Sequence, residues 1–472
     1  MLSLLVVLAE ASSIPAVGLH TLGYLHTVRY VISTKTALPP GPRMPRPVQT
    51  LGWIKRPMPL MRRAHDRFGD VFTLRILQET LVFLAHPDHV KQVFTASPSL
   101  AHAGEGNAVL LPVVGRHSVL LLDEKPHMRQ RKLLLPPFHG ERMQRYGELM
   151  TEIAEAEIER WPRGEPLELW PRMQAVTLEI IMRTVFGVEQ GGRLDELRSV
   201  LSRALHNVTG GVAMAAVALL GPERLAKSRL LRRELKPVDD LLLDEIRHRR
   251  ADPGAAERDD ILSLLVQARH EDGEPMSEAE LRDELMTLLV AGHETTATSL
   301  AWAVERLVRH PDALARLRDE VEAGHDEYMD AVVKETLRLR PVLPIVVRRL
   351  TASMEIGQHV IPAGASVAPC IYLIHRREEV YPDAAAFRPE RFLDQPAGTY
   401  TWIPFGGGVR RCLGASFAQF EMARVLAALV TKLDVLPAGR EPEHVARRAI
   451  TLTPSGGARV VASSRARAPV AA

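Results

Sequence analysis

The chain has 472 residues, 46% of them hydrophobic and 25% charged, with a formal net charge of +3. This is a globular composition, and a charge balance so close to neutral gives no reason to expect a nucleic-acid partner. Two cysteines, Cys370 and Cys412, with no C-x-x-C pair, exclude a disulfide framework and leave each thiol to be read alone.

The N-terminus opens MLSLLVVLAEASS, an apolar run of about eight residues that lacks a positive leading region and is too short to span a bilayer. Residues 14–32 are again mildly apolar, interrupted by His20, His26 and Arg29. Residues 1–37 therefore read as a weakly apolar or disordered leader; membrane contact is not expected and a cytoplasmic location is. Leu38-Pro39-Pro40-Gly41-Pro42 forms a stiff break before the globular part.

The β-branched runs VFTLRI and TLVFLA between residues 71 and 85 predict a hairpin that turns at Gln78-Glu79-Thr80. From about 88 to 340 the apolar period is mostly helical. Strand character returns at 343–369, with a turn over Val360 to Ala365, and helix resumes over 413–433. Residues 463–472 read as a disordered tail. No linker divides residues 38–462, so the expected fold class is mainly α with minor β-sheets, in one large helical domain. Basic clusters at Arg43 to Phe68 and Lys125 to Lys132 are solvated surface or a docking face for an acidic partner or anionic cofactor.

Two helices carry unusual residues. The first starts at Ser277-Glu278-Ala279-Glu280, a capping-box pattern, and runs without proline to His310. At 1.5 Å per residue its ~33 residues reach roughly 50 Å. Its middle breaks from Leu288-Leu289-Val290-Ala291 into Gly292-His293-Glu294-Thr295-Thr296, residues that weaken a helix. Either close packing or a ligand lying against the helix accounts for them; His293 is expected to face away. The second helix ends in KETLRLR before Pro341, with Glu335 and Arg338 three apart on one face.

Near the C-terminus stands WIPFGGGVRRCLG, residues 402–414. Three consecutive glycines lose much entropy on folding and need a reason. A thiolate at Cys412 would be stabilised by backbone N–H groups, which Gly406, Gly407, Gly408 and Gly414 would let approach, and by the N-terminal dipole of the helix that follows. Arg410 suits an anionic group nearby. A zinc site lacks its other ligands, a phosphate loop would want Lys-Ser or Lys-Thr after the glycines, and a c-type haem would need C-x-x-C-H. A cysteine nucleophile stays open but has no evident base.

The pattern Phe405-x-x-Gly408-x-Arg410-x-Cys412-x-Gly414 resembles the haem-binding signature of the cytochrome P-450 family. Ala291-Gly292-x-Glu294-Thr295-Thr296 resembles its oxygen-activation motif, Glu335-x-x-Arg338 its E-x-x-R pair, and Phe387-Arg388-Pro389-Glu390-Arg391-Phe392 supplies its later arginine. The resemblance covers roughly residues 38–462, with four motifs in order.

The resemblance implies a helical fold enclosing haem b, with Cys412 as proximal thiolate ligand and Phe405 and Gly406 in the ligand loop. It implies Arg410 as a propionate partner, joined by His127 and Arg131 and by Arg348, with Arg349 beside it an alternative. Gly292 would open room for dioxygen, Thr295 would hydrogen-bond the oxygen species, and Glu294 would relay protons. Glu335, Arg338 and Arg391 would form a structural triad, and Cys370 is a small core residue. The implied reaction is O2-dependent monooxygenation, a hydroxylation or epoxidation of an apolar small molecule. Aliphatic segments 108–114, 205–220, 343–347 and 451–455 with Val290 are the candidate pocket lining. With about 60 residues after Cys412, electrons are expected from a separate ferredoxin and ferredoxin reductase, drawing on NAD(P)H, and the protein is expected to be a monomer. A peroxide-driven peroxygenase, a redox-neutral isomerase and a haem-based sensor are the alternatives; retention of Glu294 and Thr295 argues for the monooxygenase.

Overall fold

The hairpin expected after residue 71 is present, but its turn is not where the sequence put it. Strands β1 (Val71–Ile76) and β2 (Glu79–Leu84) pair antiparallel with Val71 opposite Leu84 and Ile76 opposite Glu79. The turn is therefore Leu77-Gln78, and Leu77 takes a left-handed φ of 54°. The two-residue loop keeps the apolar alternation of both strands on one register, whereas a turn at 78–80 would have shifted Glu79 and Thr80 out of the ladder.

This computed structural model describes residues 38–465, apart from 139, 141, 188–195, 197, 202, 204–215 and 218–219. The leader 1–37, most of the pocket segment 205–220 and the last residues of the tail lie outside the described residues. In chain order the main helices are α1 (Arg46–Lys55), α2 (Pro57–Phe68), α3 (Pro87–Phe94), α4 (Glu124–Leu134), α5 (Arg142–Glu159), α6 (Leu169–Phe186), α7 (Arg229–Ala251), α8 (Glu278–Leu307), α9 (Pro311–Glu322), α10 (Glu327–Leu339) and α11 (Ala415–Lys432). The remaining strands are β3 (Ala101–His102), β4 (Pro166–Glu168), β5 (Arg348–Leu350), β6 (Met354–Ile356), β7 (His359–Ile361), β8 (Ser366–Pro369), β9 (Leu433–Pro437), β10 (Val445–Arg448), β11 (Thr451–Pro454) and β12 (Arg459–Ser464).

Helix α8 is the spine. Its capping box is formed in full: the Glu280 N–H donates to Ser277 Oγ at 3.2 Å, and Glu280 Oε2 accepts from the Ser277 N–H at 2.8 Å. It stops at Leu307, before His310, because Pro311 opens α9 and no helical turn can continue through it. Thirty residues at 1.5 Å give about 45 Å. Nearly every side chain from Thr296 to Leu307 is buried, against α6 on one side and α9, α10 and α11 on others. Trp302 is fully buried, and its indole N–H donates to Leu452 O at 3.2 Å, so its one polar atom is satisfied.

A five-stranded sheet in the order β1-β2-β8-β5-β3 stands beside the helices, with β2 and β8 parallel and the other pairs antiparallel. A three-stranded sheet β4-β12-β9 and two hairpins, β6–β7 and β10–β11, complete the described strands. Ser463 and Ser464, expected in the tail, pair with Asp434 and Leu433 and so belong to β12. Helix α11 starts at Ala415, two residues after the predicted position.

Candidate active site

Cys412 lies on the loop just before α11, three residues ahead of Ala415, and three features of the chain shape that loop. Gly406 and Gly408 have φ of 67° and 64°, a left-handed conformation that a side chain would strain. Gly407 and Gly408 press against the end of α3: an added Cβ would meet the Phe94 ring at 2.2 Å and the Phe94 carbonyl oxygen at 2.1 Å. The glycines thus let the loop turn and abut Phe94, rather than cupping the sulfur as the sequence suggested. The sulfur's nearby backbone donor is the Gly414 N–H, and a Cβ at Gly414 would meet nothing within 4 Å. The Cys412 N–H itself donates to Phe405 O at 3.0 Å, closing the loop. Phe405 stacks edge-on to Trp402 at 6.0 Å, and the Trp402 indole donates to Lys334 O at 3.1 Å, tying the loop to α10.

Cys412 keeps an exposed face while protein crowds around its thiol. Burial pushes its thiol up, and the Gly414 N–H with the Arg131 and Arg411 guanidinium groups oppose that rise. A lone thiol so placed gives up its proton readily only to a cation that takes the proton's place.

Beside it Arg410 pairs with Asp123, and Arg131, Arg348 and His127 lie close to Arg410. Arg410 donates to Val119 O at 3.1 Å, to Leu122 O and to Asp123 Oδ1. Asp123 is held in turn by the N–H groups of Gly104 and Glu105 at 2.8 and 3.1 Å. Burial and then the charges of Arg410 and Arg131 push buried His127 down to about 3, so it is a neutral donor at ordinary pH. Arg348 is buried, lines a cavity with Arg410, Phe94 and Gly407, and is lowered to about 10 by burial and by Arg410. Its neighbour Arg349 points the other way, to Glu79 Oε2 at 3.3 Å. Strand alternation in β5 puts the two on opposite faces, with Arg348 inward. Of Arg131, Arg348 and Arg410, Asp123 pairs with the last, which leaves room for further anionic charge and suits the two carboxylates of a haem.

The middle of α8 carries the residues of the second motif. Thr295 Oγ1 donates to Ala291 O at 2.6 Å, and Ala291 is the exposed residue in this stretch. Gly292 does not open that face. A Cβ there would meet Ile181 Cδ1 at 2.7 Å, so this glycine serves the close packing of α8 on α6. His293 is turned to α6 as well, where Thr177 Oγ1 lies 3.0 Å from its Nδ1 and 3.0 Å from its carbonyl oxygen. Glu294 is largely buried, and burial pushes its carboxyl up while Arg448 at 3.8 Å and Thr451 at 3.5 Å oppose the shift.

Below the loop the charged triad is assembled. Glu335 accepts from Arg338 at 2.6 and 2.8 Å and from Arg391 Nε at 3.2 Å. Arg338 spends its remaining donors on the carbonyls of His375, Ala384 and Ala386 at 2.7, 2.8 and 3.0 Å. Residues that motif reading missed complete the constellation. His375 is fully buried and receives the Ile403 N–H on Nε2 at 2.9 Å, so its proton sits on Nδ1 and reaches Arg338 O at 3.2 Å. It thereby joins the triad to the start of the cysteine loop. Asp123 and Arg448 were missed too; neither has a local pattern that marks it.

A single accessible thiol on a glycine turn, with a cluster of arginines and an imidazole beside it, fits a haem held through sulfur. The cytochrome P-450 family model matches residues 39–460. The chain belongs to the cytochrome P-450 family. It is similar to the mycobacterial cytochrome P-450 135B1 of Mycobacterium tuberculosis, at 42% identity over 91% of this chain and 92% of that one. Cytochrome P-450 135A1 of the same organism is 38% identical over 90% and 94%. Among solved structures, retinoic-acid-bound cyanobacterial CYP120A1 has the same fold, with a TM-score of 0.78 at 23% identity, covering 91% of this chain and all of that one. As a P-450, the chain is a haem-thiolate monooxygenase that uses O2. No helix among the described residues is long and apolar enough to cross a membrane.

Proposed function

We propose that this P-450 inserts one oxygen atom of O2 into an apolar small molecule, by hydroxylation or epoxidation, with electrons relayed from NAD(P)H through a separate ferredoxin and its reductase. The reading rests above all on Cys412, an accessible thiol beside the cluster of Arg131, Arg348, Arg410 and His127. Haem b bound at Cys412 would supply the scission of dioxygen, which an electron-rich thiolate favours. Arg410, Arg348 and Arg131 would hold its propionates as cations, and His127 as a neutral donor. Phe405, half-buried behind the sulfur, limits water there.

Balance requires two electrons and two protons, which with O2 and the substrate give the oxygenated product and one water. Thr295 donates its hydroxyl hydrogen to Ala291 O, so its lone pairs face outward as acceptors. In that state it holds a protonated partner in place instead of giving up its own proton. Glu294, raised toward neutrality and backed by Thr451 and Arg448, is suited to pass protons inward. Ala291, rather than Gly292, leaves the room for a diatomic ligand. Half-buried aliphatic side chains at Val113, Val290, Leu343 and Val346 favour an apolar substrate.

For the electron donor, the basic stretch on α4 is partly neutralised, since Arg129 pairs with Asp272 at 2.8 Å and Lys132 with Glu271 at 2.7 Å. Exposed Lys125 and Arg411 beside the cysteine loop remain to steer an acidic ferredoxin.

Reduction under carbon monoxide tests the ligand. The wild type is expected to show the strongly red-shifted Soret band of a thiolate complex, and Cys412→Ser to lose it; an unaltered spectrum would refute the assignment. Thr295→Ala is expected to keep consuming O2 while product per O2 falls about tenfold or more. Unchanged coupling would remove Thr295 from proton delivery.

A further inference from the structure

Helix α1 is turned inside out. Its glutamine, Gln49, is fully buried and holds Pro42 O, Met44 O and the Arg75 N–H at 3.2, 2.8 and 2.9 Å. Trp53 is buried beside it. Its aliphatic residues face out: Val48, Leu51 and Ile54 are 49%, 55% and 49% exposed, and Met44 just before the helix is 43% exposed. At 100° per residue Val48, Leu51 and Ile54 share roughly a third of the circumference. Four of the nine large exposed hydrophobics among the described residues thus lie within eleven positions of sequence.

The charge around this face has one sign. From residue 37 to residue 65 there is no aspartate or glutamate, while Arg43, Arg46, Lys55, Arg56, Arg62 and Arg63 are basic. Among the described residues Arg43, Lys55 and Arg56 are exposed and none of them is ion-paired. A neutral apolar partner would explain the aliphatic stripe but not these unpaired cations. A second copy of the chain would bring the same positive charges against each other.

We propose that the outer face of α1 rests on an anionic lipid surface, with Met44, Val48, Leu51 and Ile54 in the acyl boundary and Arg43, Lys55 and Arg56 at the headgroups. A helix lying in the interface needs one apolar face and basic flanks, not the length of a membrane span. The sequence expectation of no membrane contact concerned the leader, residues 1–37, and did not consider this helix.

Full-length protein is incubated with vesicles of phosphatidylglycerol and phosphatidylcholine, or of phosphatidylcholine alone, and pelleted. The wild type is expected to sediment with the anionic vesicles, and less so in high salt. Leu51→Glu/Ile54→Glu, keeping its haem content and Tm, should bind about tenfold or more weakly. Three results overturn the proposal. One is wild type left in the supernatant, which shows no lipid affinity. Another is a variant that sediments like the wild type, which places binding elsewhere in the chain. The third is a wild-type dimer that the same variant dissociates without lipid, which makes a second copy the occupant.

Discussion

Arg338→Ala is expected to purify without haem and to melt far below the wild type. Both side chains of the Glu335–Arg338 pair are fully buried. Removing the guanidinium leaves a buried carboxylate with Arg391 as its remaining cation and strips the carbonyls of His375, Ala384 and Ala386 of their donor. Breaking a buried ion pair from one side costs about 3–5 kcal/mol. The damage also reaches the ligand loop, because the His375 ring spans from Arg338 O to the Ile403 N–H. Arg338→Lys should not rescue it: one ammonium has three donors at a point and cannot serve two carboxylate oxygens and three separate carbonyls. Haem-to-protein ratio and Tm measure both variants. Full haem content with an unchanged Tm in Arg338→Lys would show that charge alone suffices.

Glu284→Gln is expected to raise stability in alkaline buffer and leave it nearly unchanged in acid. Burial pushes the Glu284 carboxyl up to about 8, against the Val119 N–H at 2.7 Å that favours its ionised form. In the unfolded chain the group ionises near its ordinary value of 4.5. The folded state therefore binds the proton more tightly, and this stabilisation is complete below about 4.5 and lost as pH rises through about 8. A shift of that size corresponds to a few kcal/mol, on the order of 1.4 kcal/mol per pH unit. Glutamine keeps an acceptor for Val119 but does not titrate. Its Tm should exceed that of the wild type at pH 9 and approach it at pH 5. Parallel pH profiles for the two proteins would show that Glu284 titrates alike in both states.

The chemistry of the site was legible because it depends on residue types at fixed local spacing. Glu335 and Arg338 meet at three residues' separation on any helix, and Ser277 caps Glu280 wherever that helix lies. What failed was orientation. Gly292 was given to the pocket and Ala291 passed over, yet one helical position of 100° separates the face toward Ile181 from the open one. The glycines before Cys412 were read as serving the sulfur, while two of them serve Phe94, more than 300 residues earlier in the chain.

Sequence alone determined that a lone thiol follows a glycine turn, that a long capped helix carries Glu294 and Thr295, and that one mainly α-helical domain holds both. Those are consequences of backbone propensity and short-range periodicity, which act within a few turns. Only the tertiary structure decided that His375 bridges Arg338 to the cysteine loop, that Asp123 pairs with Arg410, that Arg448 stands behind Glu294, and that Arg348 rather than Arg349 points inward. Each of these pairings spans tens to hundreds of residues or turns on which face of an element is buried, and no local pattern encodes a partner that packing alone brings within hydrogen-bond reach.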